Sequence, residues 1–202
     1  MDRLAVRITR IDPAFATIIR MAGPVEWRDP SVDAFNALMR AIVFQQLAGR
    51  AASAIHGRVV ALFGEQQPSP QALLQLSEEE LRGAGLSAAK HRALVDLAKK
   101  FHDGTVPVDD IEQLDDEEVI ARLSTIRGIG RWTAEMFLMF QLHRPDVWPV
   151  DDLGVRNGWA RIHGTRALPT PKQLRELGEP FHPMRSAVAW YCWRAVHTLT
   201  PA

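Results

Sequence analysis

The sequence contains a single cysteine, Cys192, among its 202 residues. One cysteine cannot form a disulfide within the chain, and it excludes zinc and iron–sulfur sites that need several thiolates. The first residues, MDRLAVRITRIDP, lack the apolar core of a signal peptide, and no apolar run approaches the ~20 residues that span a bilayer. We therefore expect an intracellular protein of a reducing compartment that makes no use of a membrane.

An excess of charge is also absent, because 24 Lys and Arg balance 24 Asp and Glu. This balance argues against a strongly basic coat, although a local basic patch is compatible with it, since binding depends on the local field. The seven histidines are scattered without metal-ligand spacing. The chain also lacks a Gly-x-Ser-x-Gly elbow and a Gly-x-x-x-x-Gly-Lys loop, which argues against those types of hydrolase and nucleotide-binding protein.

Strand-like alternation is missing, whereas apolar residues recur with a helical period in nearly every segment. Ser77 begins a capping-box pattern, and Ser31 is the predicted N-cap of a long helix that follows it. The segment DDLGVRNGWARIHG predicts a shorter helix, interrupted by Gly154 and Gly158. The fold class predicted from these patterns is all-α, built from many short helices.

The segment TIRGIGRWTAEMF, residues 125–137, permits two interpretations. A dinucleotide-binding fingerprint must follow a strand in a βαβ unit, and no such unit is predicted here. Gly128 and Gly130 therefore indicate a tight turn between two helices. The N–H groups at the start of the second helix, with the helix dipole and the charges of Arg127 and Arg131, would attract an anion such as a backbone phosphate. The alternative is a plain helical turn with two surface arginines.

Several segments, occurring together and in order, resemble the DNA base-excision glycosylases of the helix-hairpin-helix superfamily. LSTIRGIGRWTAEMFLMF resembles their hairpin, and WPVDDLGVRNG resembles their Gly/Pro-rich loop with its aspartate. FNALMRAIVFQQLAGRAASAI is similar to the helix pair that carries the DNA-wedging residue. FHPMRSAVAWYCW and IDPAFATIIRMAGP resemble the 3-methyladenine DNA glycosylase II branch in particular.

This resemblance implies a two-lobed helical fold with the active site in the cleft between the lobes. One lobe would consist of residues 1–30 and 146–202, and the other of residues 31–145, with the hairpin motif at about 117–142. Larger bacterial relatives of this branch have an extra N-terminal β-domain, so the chain resembles a minimal form.

The function implied by the resemblance is that of a monofunctional glycosylase in base excision repair. It would hydrolyse the N-glycosidic bond of alkylated purines, of the 3-methyladenine and 7-methylguanine type, in double-stranded DNA. No cofactor would be required, and the protein would act as a monomer in the bacterial cytoplasm or a eukaryotic nucleus. The alternatives are a glycosylase for another lesion and a non-catalytic helix-hairpin-helix module, which would need neither an aspartate loop nor an aromatic pocket.

The residues alone cannot decide which of two neighbouring aspartates, Asp151 and Asp152, is catalytic, and either could be a helix N-cap. The frame of the family motif falls on Asp152. Cleavage of the C–N bond builds positive charge on the sugar, which a fixed carboxylate stabilises.

The base pocket is also implied by the resemblance. Trp132 and Trp193 would line it, since a cationic base over an indole gains ~0.5–2 kcal/mol. Met136 and Leu153 replace aromatic residues of the larger enzyme, which predicts a less aromatic pocket. Relatives that also cut the backbone carry a lysine where this chain has Trp132, so no Schiff base is expected.

The remaining candidates concern DNA binding. By resemblance, Leu47 is the apolar wedge that fills the gap left by a flipped base, with Gln46 beside it; the alternative is a core residue near a helix end. The predicted DNA-binding residues of the hairpin are Arg127, Gly128, Gly130, Arg131 and Thr133. The resemblance also implies a possible site for a structural monovalent cation, Na⁺ or K⁺, at the carbonyls of Ser124, Ile126 and Ile129. Further candidate backbone contacts, or simply a solvated helix face, are Lys90, His91 and Arg92.

Overall fold

The computed structural model describes residues 3–27, 29–31, 33–106 and 110–199. The described residues form helices and no β-strand, which confirms the predicted all-α class. None of these helices is long and apolar enough to cross a bilayer. The α-helices are α1 (Arg3–Ile11), α2 (Ala16–Ala22), α3 (Ala34–Phe44), α4 (Gly49–Ala61), α5 (Pro70–Gln75), α6 (Glu78–Gly83), α7 (Ala88–His102), α8 (Asp116–Leu123), α9 (Arg131–Phe140), α10 (Leu153–Ile162), α11 (Pro171–Gly178) and α12 (Arg185–Thr198).

The helices belong to two compact units. The first unit consists of Met1–Arg28 and His143–Ala202 and contains α1, α2, α10, α11 and α12. The second unit, Asp29–Leu142, contains α3 to α9. We call them the terminal unit and the central unit.

The close packing of α10 against α12 organises the terminal unit. A Cβ at Gly158 would lie 1.9 Å from the carbonyl oxygen of Cys192, so only glycine allows the two backbones to approach this closely. The predicted interruption of this helix by Gly154 and Gly158 is therefore wrong, because α10 runs continuously through both. The glycines are there for contact with α12, and the packing outweighs their low helix propensity.

An aromatic cluster joins the N-terminal segment of the terminal unit to its C-terminal helices. Phe15 packs edge-on against Trp159 and Phe181, with ring centroids 5.6 Å apart in both pairs. His163 stacks on Trp159 and hydrogen-bonds to Asp12, 2.7 Å from the imidazole Nε2 to the carboxylate Oδ2. These contacts hold together chain segments that are about 150 residues apart in sequence.

Helix α7 lies at the centre of the second unit and packs against α3, α5 and α6. The capping box at Ser77 is confirmed, because its hydroxyl accepts the Glu80 N–H and Glu80 accepts the Ser77 N–H. The predicted N-cap at Ser31 is wrong. Asp33 caps α3 instead, 2.7 Å from the Asn36 nitrogen, while the Ser31 N–H donates to the side-chain oxygen of Gln141.

Candidate functional site

The loop that precedes α10 in the terminal unit is fixed by the first residues of α12. Arg185 donates from Nε and Nη2 to the two carboxylate oxygens of Asp146, at 2.9 and 2.6 Å. The Ser186 hydroxyl donates to the Arg144 carbonyl at 2.7 Å and accepts the Val147 N–H at 2.8 Å. Burial by itself would raise the pKa of Asp146, but its bonds to Arg185 and His182 lower it overall. Arg185 and Ser186 thus support residues 144–147 of the loop that leads to Asp152.

Asp152 stands at the N-cap of α10, with its carboxylate held in place by two donors. Its Oδ1 accepts the backbone N–H of Val155 at 2.7 Å and the indole N–H of Trp193 at 2.9 Å. The carboxylate is half-buried, whereas Asp151 is exposed. Asp152 is therefore the N-cap of α10, one of the two roles left open by the sequence, and its catalytic role stays a prediction.

The edge of the Trp193 indole faces Asp152 and Gly154. A Cβ at Gly154 would lie 2.8 Å from Cδ1 of Trp193 and 3.0 Å from Oδ1 of Asp152. Glycine at this position therefore makes room for the indole against the first turn of α10. Trp193 was predicted only as an aromatic wall, so its N–H donation to the carboxylate is a role that the sequence did not reveal. Leu153, the other pocket candidate of this unit, is 59% exposed.

Cys192, the single cysteine, lies fully buried next to this cluster. Burial raises the pKa of the Cys192 thiol well above its usual value, and the negative charge of Asp152 raises it further. The thiol is therefore held in its neutral form, as a packing residue between α12 and α10.

In the central unit, α8 and α9 form the hairpin predicted from residues 125–137. Gly128 has φ +81°, a left-handed conformation that favours glycine in this turn. The buried side chains of Ile126 and Ile129 anchor the turn to the core. Helix α9 begins after Gly130, and no side chain caps it. The N-terminal end of this helix is thus available to an external anion.

Arg131 makes a different contribution from the one predicted. Its guanidinium donates to both carboxylate oxygens of Glu117, at 2.9 and 2.5 Å, and its Nε donates to Glu135 at 3.1 Å. Hydrogen bonds to Glu117 raise the pKa of Arg131 further. Because two carboxylates offset its charge, we correct the prediction that Arg131 strengthens an anion site, and interpret it as a clamp between α8 and α9.

Arg127, in contrast, is exposed, and its backbone is fixed from α7. The Arg127 N–H donates to Asp96 at 2.7 Å, and Lys100 donates to the same carboxylate at 3.0 Å and to the Thr125 carbonyl. Burial tends to raise the pKa of Asp96, but the Arg127 N–H and Lys100 lower it overall. The hairpin turn is therefore held in one conformation.

The other hairpin candidates differ in exposure. Thr133 is buried, so only its backbone can contribute to binding, and Gly130 is exposed. Trp132 is 48% exposed, unusually high for an indole, and Met136 lies one turn further along α9 on the same side of the helix. Trp132 and Met136 thus present an apolar surface that includes an aromatic ring.

The predicted wedge lies in a tight turn between α3 and α4, residues 45–48. Gln46 has φ +55°, a conformation that residues other than glycine rarely adopt. Leu47 follows it and is 38% exposed, so it is not a core residue. The turn exposes an apolar side chain beside a polar one, as a wedge requires.

Among the candidates at the start of α7, only Arg92 is exposed. Lys90 donates its ammonium to the Val43 carbonyl at 2.7 Å, and burial lowers its pKa. His91 lies 3.8 Å from Glu78. Lys90 thus joins α7 to the end of α3, and its contact with the DNA backbone stays a prediction. A groove of about 250 Å³ separates this part of α7 from the hairpin and is lined by Gln45, Gln46, Ser87, Ala89, Lys90, Arg92, Ala93, Arg127 and Gly128.

Two features bear on metal binding. Within the described part of the chain, no group of three or more His, Cys, Asp or Glu side chains could hold a metal ion. At the hairpin, the Ile126 carbonyl already accepts the Ile129 N–H at 3.0 Å and retains a second lone pair. The cation predicted at the carbonyls of Ser124, Ile126 and Ile129 remains a prediction.

Two residues of these sites were missed in the sequence. Gly154 is recognisable in retrospect, because a glycine in the first turn of a helix that remains helical suggests a close neighbour. Gln45 donates its side-chain N–H to the Gly128 carbonyl at 2.8 Å. No local pattern could have revealed that bond, because its partner is 83 residues away.

The comparisons with known proteins agree with one another. A family model, "HhH-GPD superfamily base excision DNA repair protein", matches residues 39–183. The chain is 34% identical to DNA-3-methyladenine glycosylase 1 of Schizosaccharomyces pombe, over 96% of the chain and 87% of that protein. A solved structure of the S. pombe 3-methyladenine DNA glycosylase in complex with abasic DNA has a TM-score of 0.85 and 34% identity, covering 96% of both chains. A DNA-3-methyladenine glycosidase from Bacillus halodurans has a TM-score of 0.88 and 34% identity, covering 98% of this chain and 90% of its own.

Proposed function

The chain belongs to the HhH-GPD superfamily of base excision DNA repair proteins, and we propose that it is a monofunctional DNA-3-methyladenine glycosylase. Its partner is DNA, as in the similar S. pombe complex. The proposed substrates are alkylated purines in duplex DNA, of the 3-methyladenine and 7-methylguanine type. We further propose that it acts as a monomer inside the cell and that catalysis requires no cofactor.

The observation that carries this proposal is the fixed carboxylate of Asp152. A half-buried acid that receives two N–H bonds at 2.7 and 2.9 Å is held in one orientation before any substrate arrives. An electrostatic group that needs no reorganisation is what a transition state with developing charge requires. The cap to Val155 also places the carboxylate at the positive end of α10.

The proposed reaction is hydrolysis at C1′ of the deoxyribose. As the C–N bond lengthens, positive charge accumulates on the sugar, and the Asp152 carboxylate stabilises it. Water supplies the hydroxyl that bonds to C1′ and releases its other proton to the solvent, while the departing base takes the electron pair of the broken bond. An alkylated purine starts with a positive charge and leaves as a neutral base, so neither a general acid nor a metal ion is needed to help it leave.

Two elements of the central unit support the DNA-binding part of the proposal. The uncapped N-terminus of α9 and the exposed Arg127 would bind a backbone phosphate. Leu47 would fill the stack when a nucleotide is flipped. Trp132, which has no amine, would offer an aromatic face to a cationic base.

Incubation of the protein with methylated duplex DNA, followed by chromatography of the released bases, tests the proposed activity. We expect free 3-methyladenine and intact abasic strands, the same yield in EDTA, and no covalent adduct with borohydride. An adduct would contradict the monofunctional mechanism, and loss of release in EDTA that is restored by zinc or magnesium would contradict the absence of a cofactor. Binding of DNA without release of any base would make the protein a non-catalytic module.

A further inference from the structure

Gln45 connects two elements that the proposed function uses separately. It is the first residue of the wedge turn, and its side-chain N–H donates to the Gly128 carbonyl in the hairpin turn, 2.8 Å away. These two elements are 83 residues apart in sequence, and both belong to the central unit. The bond therefore joins the turn that would enter the stack to the turn that would grip the backbone.

Both partners of this bond are held in place by other contacts. On the wedge side, the Lys90 ammonium donates to the Val43 carbonyl at 2.7 Å, which fixes the end of α3 just before Gln45. On the hairpin side, Asp96 accepts the Arg127 N–H at 2.7 Å, which fixes the residue before Gly128. Lys90 and Asp96 both belong to α7, so this helix supports the two turns from one side.

The conformation of the wedge turn explains why it would need support from the Gln45 side chain. Gln46 is held at φ +55°, a strained value for a residue with a side chain, and the Leu47 N–H has only a long contact of 3.4 Å to the Phe44 carbonyl. A turn with such weak internal bonding depends on neighbouring groups to keep its shape. Gln45 supplies that support immediately before the strained residue.

We propose that Gln45 is a positioning residue that couples the wedge turn to the hairpin. Binding of the DNA backbone by the hairpin and insertion of Leu47 into the base stack would then depend on each other. The coupling rests on the proposed function, because it presumes that Leu47 is the wedge. It also assigns the Gly128 carbonyl a defined acceptor role, whereas the N-terminus of α9 contributes N–H donors.

Gln45→Ala and the isosteric Gln45→Glu test the proposal, since both remove the N–H donor. Neither substitution touches a proposed catalytic group or cavity in the core. We expect each to slow single-turnover release of 3-methyladenine from duplex DNA roughly two- to ten-fold, the range of one neutral hydrogen bond. The thermal midpoint and the salt slope of binding to undamaged duplex should stay near wild type for Gln45→Ala, whereas the negative charge added by Gln45→Glu should also reduce the slope. Gln71→Ala, a similar change at an exposed glutamine of α5, is the matched control and should have no effect.

The decisive measurement is a double-mutant cycle with Leu47→Ala. If Gln45 acts through Leu47, the double variant releases base no more slowly than Leu47→Ala alone. Additive losses would overturn the coupling, as would wild-type rates in both single variants of Gln45. A fall in the thermal midpoint that accounts for the lost activity would also overturn it, in favour of a purely structural bond. Failure of wild-type protein to release any base would instead refute the proposed function.

Discussion

Two helices of this protein have equal length but differ at their N-terminal ends, because a side chain caps one and not the other. Helices α9 and α10 both have ten residues. Helix α10 starts with an internal anion, because the Asp152 carboxylate accepts the Val155 N–H. Helix α9 has Gly130 at its N-cap position, and no side chain caps it. The positive end of a helix can either hold a carboxylate for chemistry or receive a phosphate from outside, and we propose that this protein uses one helix for each purpose.

The largest effect is expected when the anion of α10 loses its charge. Asp152→Asn keeps a good N-cap but removes the charge that faces the sugar, so single-turnover base release should fall roughly 10² to 10³-fold. Affinity for DNA with an abasic-site analogue should stay near wild type, since the charge acts chiefly in the transition state. Asp151→Asn is the matched control and should retain most activity. The reverse result would show that Asp151 is the catalytic residue.

A smaller effect is expected when Asp152 keeps its charge and loses a donor. Trp193→Phe retains an aromatic ring but removes the N–H that donates to Oδ1 at 2.9 Å. A hydrogen bond to a charged group contributes ~1.5–3 kcal/mol, so base release should slow roughly ten- to hundred-fold with abasic-DNA affinity maintained. Trp190→Phe, at an indole of the same helix that packs edge-on against Tyr191, is the control. Equal rates in the two variants would show that the indole N–H does not orient the carboxylate.

The difference between the two helices can be removed by giving α9 an acidic N-cap, as α10 has. There is room for a side chain at Gly130, since no atom lies within 4 Å of the Cβ position and its φ is −104°. Gly130→Asp should change the free energy of unfolding by only a few tenths of a kcal/mol, ~0.5 at most. DNA affinity should fall about ten-fold at 0.1 M salt, and the slope of log K against log salt should lose about 0.9. Gly130→Ala separates the effect of bulk from that of charge, and unchanged binding by Gly130→Asp would mean that no phosphate sits there.

The smallest effect on DNA binding is expected at Arg131, although it is the first residue of α9. Its charge is offset by Glu117 and Glu135, so Arg131→Ala should change affinity less than about two-fold and leave the salt slope unchanged. The loss should appear in stability, at about 1 kcal/mol, since Glu135 is buried. Arg127→Ala, at an exposed arginine of the same turn, should reduce the slope by about 0.9. A larger fall in slope for Arg131 than for Arg127 would reverse this assignment.

Much of the fold was accessible from local patterns. The helical class follows from apolar periodicity, and the capping box at Ser77 follows from residues that are three positions apart. The hairpin turn was recognisable because glycine in a sequence often marks a tight turn, and Gly128 indeed has a left-handed conformation. The errors arose where distant partners override local preference, at Gly158 against Cys192 and at Ser31 against Gln141.

The candidate site was likewise only partly predictable from the sequence. The aspartate pair was visible in the sequence, and the family motif favoured one of its two members, but only the structure shows which carboxylate accepts the Trp193 N–H. Arg131 looked like a phosphate ligand because a sequence displays charge and not its neutralisation, which Glu117 supplies from 14 residues away. The Lys90 ammonium donates to the Val43 carbonyl, 47 residues away, a contact that the sequence does not display either.

The sequence by itself therefore determined the helices, their turns and the family, because those depend on residue preferences within a few positions and on motifs kept in order. Tertiary structure decided which charges are offset, which carboxylate is held and which turn Gln45 supports. Each of these depends on atoms brought within about 3 Å by packing between helices, a distance over which hydrogen bonds act and sequence separation has no bearing.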